Sequence, residues 1–177
     1  MIRTVVTGER NGKSVFVSDG TCQHVRHYAS TPGFATALAW ATPLTPQLPH
    51  DGTDPCPAQV SVVPTPHGTR VIFVQFPPDS VMSSVDFDPA AAGAEYAKYL
   101  PGLAECFEPD GSGMHRTHTV DYDVIVSGEL WLELDDGELR QVKAGDVVIQ
   151  NGTRHAWRNR SNKTATMVSV LIGADRV

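Results

Sequence analysis

GMHRTHTVDYDVIVSGE, residues 113–129, and GDVVIQNGTRHAWRN, residues 145–159, are the two stretches on which the reading of this chain turns. Each is a short run of β-branched and aromatic residues closed by glycine, and Asp136-Gly137 lies between them. That pair suits a tight hairpin, because both central positions of such a turn need positive φ. Strand candidates are Val120–Val126, Glu129–Leu134, Glu138–Val142, Asp146–Gln150, His155–Arg158 and Thr164–Ile172. Turn pairs at Gly145-Asp146, Asn151-Gly152 and Ser161-Asn162 separate them. Many short strands at near-regular spacing read as an antiparallel barrel or jelly roll.

Strand parity then sorts the side chains. If the strand is continuous, His115, Thr117, Asp121, Asp123 and Ile125 share one face and point inward. His118 and Tyr122 have the other parity, and His118 reaches inward only through a bulge. His155 lies on a later strand, with Trp157 and Asn159 on its side, and a closed barrel brings distant strands face to face. Two imidazoles and a carboxylate on one side of an ion, with positions left open, suit non-haem Fe(II), and the same set accepts zinc, manganese or nickel. Expected ligands are therefore His115, Asp121 and His155, with His118 a fourth candidate. Asp123 and Tyr122 are candidates for moving protons, and Thr117, Gln150 and Trp157 for lining the substrate pocket.

The two stretches resemble the paired motifs of the cupin superfamily. Gly128 matches the glycine that ends the first motif, and Gly145, Asp146, Gly152, His155 and Asn159 follow the second. The first motif departs at two ligand positions: Asp121 stands where the family has glutamate, and Thr117 where it has its second histidine. Pro109 replaces the opening glycine, and Asn151 a proline. The resemblance implies a small single-domain cupin, an all-β jelly roll of two antiparallel sheets holding one divalent ion, Fe2+ or Zn2+ before Mn2+ or Ni2+.

Upstream, Ser14–Ser18, Phe34–Ala41, Gln59–Val63 and Arg70–Phe76 read as strands, the last a candidate edge that pairs with a second copy. Residues 42–57 hold five prolines and read as a loop. Asp88 caps a helix that starts at Pro89 and runs to Leu100, where Pro101-Gly102 stops it. This divides one structural domain into an N-terminal β extension packing on the barrel (1–80), a helical connection (81–109) and the barrel core (110–177).

The totals narrow the function classes. A net charge of −6 without a basic run argues against nucleic-acid binding, which needs clustered Lys and Arg. No apolar run reaches the ~20 residues of a membrane helix, and the N-terminus lacks a signal core, so a cytoplasmic protein is expected. Cys22, Cys56 and Cys106 are scattered, odd in number and expected to be reduced. Cys22 with His24 and His27 reads as a solvated turn, and Asp135-Asp136 as a hairpin tip.

Three functional readings stay open. One is a metal-dependent oxygenase acting on a carboxylate, carbonyl or phenol. Another is an isomerase, cyclase, lyase or decarboxylase using the ion as Lewis acid. The third is a non-catalytic module that binds or senses a small ligand. The expected partners are a small-molecule substrate and a second copy in a homodimer, with no nucleic acid and no membrane.

Overall fold

Ala165 to Gly173 alternates buried and half-buried residues without a break, and this period-2 pattern makes it the central strand of the molecule. The structure, a computed structural model, describes residues 2–56 and 60–175. Eleven strands form among them: β1 (Arg3–Arg10), β2 (Lys13–Thr21), β3 (Val25–His27), β4 (Ala35–Thr42), β5 (Thr69–Phe76), β6 (Thr119–Ser127), β7 (Glu129–Glu133), β8 (Leu139–Lys143), β9 (Val147–Asn151), β10 (Ala156–Arg158) and β11 (Ala165–Gly173).

Six strands form the larger sheet in the order β3-β4-β5-β11-β6-β9, three form a smaller sheet in the order β10-β7-β8, and β1-β2 is a separate hairpin. All pairings are antiparallel. Among the described residues the fold is, as expected, all-β in antiparallel sheets with one α-helix. The two sheets share an interior. Ile125, Ala165 and Met167 of the larger sheet pack with Leu130 of the smaller, and Trp157, Val142 and Phe76 close around them. A second apolar cluster, including Tyr28, Leu38, Ile72, Leu100 and Leu171, fills the other end under the helix.

That helix, α1 (Pro89–Tyr99), begins as its sequence dictates: Asp88 Oδ1 accepts from the backbone N–H of Ala90 and Ala91. Glu95 accepts from the N–H groups of Ala29 and Ser30, which fixes the helix to the loop before β4. Tyr28 lies in this junction, and burial pushes its phenol up to about 12.

Several expectations need correction. Arg70–Phe76 is not an edge: β5 is internal, paired with β4 on one side and β11 on the other. No strand forms over 60–63, where Ser61 instead bonds to Val63 in a turn; Gln59 lies outside the described residues. The stretch 1–80 supplies β3, β4 and β5 to the larger sheet. Its first hairpin, with Asn11 and Gly12 both at positive φ, carried the turn signal of an Asn-Gly pair. Asp135 is more than a hairpin tip, because its Oδ1 accepts from Arg154 at 2.8 Å. Cys22 is buried rather than solvated, and His24 pairs with Asp54 at 2.6 Å.

Candidate functional site

β6 presents Thr119, Asp121, Asp123 and Ile125 to the interior and Tyr122 to the outside, an alternation set by the strand itself. Before β6 the chain belongs to the other sheet. His115 and His155 exchange both backbone hydrogen bonds at 2.9 Å, as an isolated bridge continuing the smaller sheet beside β10. Residues 116–118 carry the chain across to the larger sheet. The strand is thus interrupted between His115 and Asp121, and shared parity does not place the two on one wall.

The imidazoles are brought together, with ring centroids 4.3 Å apart. Each ring is held the same way: Nδ1 of His115 lies 3.2 Å from the Gly113 carbonyl, and Nδ1 of His155 lies 2.9 Å from the Thr153 carbonyl. A nitrogen facing a carbonyl carries the proton, which leaves each Nε2 with a free lone pair. Burial lowers the pKa of both. For His155 the neighbouring His115 adds to the effect and brings it to about 4. Both rings are neutral at pH 7. Phe107 packs against His115 with its ring tilted by 50°, and Trp157 stands edge-on to His155.

The larger sheet carries two buried acids on β6. Asp123 is 3% exposed and accepts from the Ser169 hydroxyl at 2.5 Å. Burial pushes its carboxyl up to about 7, against the Ser169 bond and with help from the charge of Asp121. Asp121 is pushed up to about 6 by burial, with Thr119 working the other way. Thr117 and Thr119 share a hydroxyl hydrogen bond at 2.7 Å beside it. Gln150 is the cross-strand partner of Asp121, and the Thr153 hydroxyl donates to its Oε1.

The predicted residues therefore divide. His115, His155, Asp121, Asp123, Thr117 and Gln150 come to the interior, and Trp157 joins its apolar floor. Tyr122 is 44% exposed on the outer face, too far round the strand to move protons inside. His118 is exposed and has no bulge to turn it inward. Sequence reasoning missed Ser169, which a serine on the inward parity of an otherwise aliphatic strand signals. It also missed Arg154, clamped by Glu108 and Asp135, and Arg158, bound to Glu133.

The donor set can be tested against the divalent ion that the resemblance implies. Two neutral imidazoles with Nδ1 tied to backbone suit a metal. A third donor is missing: among the described residues no group of three or more His, Cys, Asp and Glu side chains can hold an ion together. Thr117 stands where a second histidine would help, and Asp121 sits on the opposite sheet. These residues do not fit a three-ligand centre.

Residues 104–171 match the family model described as Cupin domain. Phomopsin biosynthesis cluster protein D of Diaporthe leptostromiformis is 57% identical over 106 residues, covering 52% of this chain and 56% of that protein. A cupin-domain-containing oxidoreductase of Neurospora crassa is 27% identical over 159 residues, covering 90% of this chain and 66% of that protein. Among solved structures, a Cupin 2 conserved barrel domain protein from Salinispora arenicola aligns over 76% of this chain and 75% of that one, at 17% identity and a TM-score of 0.37. This chain spans about half or less of the length of the first curated relatives it matches, 44%, 56% and 33%.

Proposed function

We propose, from the premise that this chain belongs to the cupin superfamily, that it is an enzyme that moves protons on a small organic molecule held between its two sheets. The observation that carries this reading is the Asp123–Ser169 hydrogen bond in the interior. It holds a buried carboxyl group poised near neutral pH, on the larger of the two sheets that share this interior. General acid–base catalysis works best with a group whose pKa lies near the working pH. Asp123 as carboxylate takes a proton from a C–H or O–H of the substrate, and as carboxylic acid returns it. The imidazole Nε2 atoms accept hydrogen bonds from substrate hydroxyl or N–H groups and orient them. Isomerisation, cyclisation and elimination all use this set. The name of the Diaporthe relative, a biosynthesis cluster protein, supports a substrate that is an intermediate in building a small molecule.

The test is proton exchange. Incubated in D2O with a panel of small enolisable carbonyl compounds, the protein is expected to replace a C–H by C–D in at least one of them, read as loss of a proton NMR signal. A panel with no exchange above the buffer rate sinks the reading.

The name of the Neurospora relative favours a second reading, an oxidoreductase. Oxygen consumption on the same panel separates the two, since proton transfer alone consumes none.

The imidazole pair by itself would hold Fe2+ or Zn2+ only loosely. Protein passed through a desalting column with EDTA is therefore expected to keep far less than one equivalent of iron, zinc, manganese or nickel by mass spectrometry. Its melting temperature should be unchanged. A full equivalent, lost only in a folded His155→Ala variant, would restore the three-ligand centre.

The homodimer reading finds support on the outer face of β6 and β9, where Tyr122, Val126, Val147 and Ile149 are all exposed. A contiguous apolar patch marks an interaction surface. Light scattering on a sizing column is expected to give twice the chain mass, and Ile149→Lys half of that value.

A further inference from the structure

Among the described residues, two buried side-chain polar atoms have no hydrogen-bond partner: Asp121 Oδ1 and Gln150 Nε2. Their residues are 6% and 3% exposed. Unpaired buried polar atoms are costly and uncommon in folded proteins, and a pair of them at adjoining positions needs an explanation. Asp121 and Gln150 stand directly across from each other on β6 and β9, so their Cβ atoms lie ~5 Å apart on the inner face of one sheet. Both are fixed by neighbours. Thr153 donates to Oε1 of Gln150, which commits the amide oxygen and presents its N–H2 group elsewhere. Thr119, itself bonded to Thr117, lies beside Asp121 and holds its pKa down against burial, while Oδ1 is unpaired.

We infer that Asp121 and Gln150 form a docking pair for a neutral planar group that carries an N–H or O–H beside a carbonyl: an amide, a lactam or an enolised dicarbonyl. The carboxylate oxygen accepts from the ligand N–H or O–H, and the Gln150 amide donates to the adjacent carbonyl oxygen. A single group of this shape satisfies both orphans at once. A carboxylate anion satisfies only Gln150 and sets its charge against Asp121 and Asp123. The cations of the smaller sheet offer no compensation, since Arg154 and Arg158 are occupied by Glu108, Asp135 and Glu133. The remaining acceptors of the interior, the Nε2 atoms of His115 and His155, likewise favour a ligand rich in N–H or O–H donors. This assignment deepens the proton-transfer reading and rests on it for the identity of the site.

The probes are 2-pyridone, which carries N–H and C=O side by side, N-methyl-2-pyridone, which lacks the donor, and benzoate. Binding is read on wild-type protein by titration of the glutamine side-chain NH2 signals in a nitrogen–proton correlation spectrum. The Gln150 signal is identified by its loss in Gln150→Leu. 2-Pyridone is expected to shift that signal and to bind about tenfold or more tightly than either other probe. Equal binding of the two pyridones, preference for benzoate, or no shift of the Gln150 signal would overturn the assignment, as would a bound water that none of the probes displaces. The relative affinities of the three probes are also read by calorimetry on wild-type protein, so a poorly folding Gln150→Leu protein does not rescue the idea. Because 2-pyridone reports binding and the D2O panel reports turnover, failure of the docking pair and failure of the proton-transfer reading appear in different assays.

Discussion

Asp123→Asn is expected to lower turnover by about 10²–10⁴-fold, the usual worth of a general acid–base group, while making the folded protein more stable at pH 8. The two effects have one cause. Asp123 is buried against Ser169, and its native carboxyl holds a proton up to about pH 7. In the unfolded chain the same group loses its proton near 3.8. Between those values the native state binds more protons than the unfolded state, so stability falls as pH rises through this window. The contribution is complete below pH ~4 and gone above pH ~7. At three units of separation the loss is a few kcal/mol, about 3 after allowance for relaxation. Asparagine keeps an oxygen for the Ser169 hydroxyl and has no charge to bury. The variant should therefore melt roughly 5–10 °C higher than the parent at pH 8, with little difference at pH 4. Thermal melts across that pH range check the stability half, and the D2O exchange rate the catalytic half. An Asp123→Asn protein that keeps its exchange rate would remove Asp123 from the reaction, whatever its melting curve does.

Gly128→Ala is expected to be strongly destabilising. Gly128 joins β6 to β7 at φ 74°, in the left-handed region, where a side chain costs about 1–2 kcal/mol. A Cβ there would also lie 2.8 Å from the Ala165 Cα and 3.1 Å from the Thr164 carbonyl oxygen. Both are backbone atoms where the chain enters β11, and Ala165 cannot step aside without breaking its pairing with Phe76 of β5. Beside them Leu130 and Ala165 are fully buried, so the strain enters the core. A total cost of about 3 kcal/mol or more is expected. Gly137→Ala is the control. Gly137 has nearly the same φ, 73°, and nothing within 4 Å of its would-be Cβ, so it should lose only the backbone part, about 1 kcal/mol. Urea titration of both variants reads the difference. Equal losses would mean that the approach of β11 to Gly128 is not what requires glycine there.

The alternation of apolar and polar residues from Val120 to Ile172, the Asp136-Gly137 turn and the Asp88-Pro89 cap are local signals, and each produced its element within a residue or two. Local signals have this power because the hydrogen-bond pattern of a turn or cap is settled by the few residues within it. They also announced the family, and with it the meeting of His115 with His155. What the sequence could not settle was where a strand is interrupted. Parity assumed an unbroken run from His115 to Asp121, yet residues 116–118 pass from one sheet to the other, and this crossing splits the expected ligand set between two walls. The same holds for Arg70–Phe76, whose strand was legible but whose neighbours were not, and for Ser169, which gains its meaning only when β11 pairs with β6. Sheet membership is decided by partners far along the chain, through packing energies that no window of neighbouring residues contains.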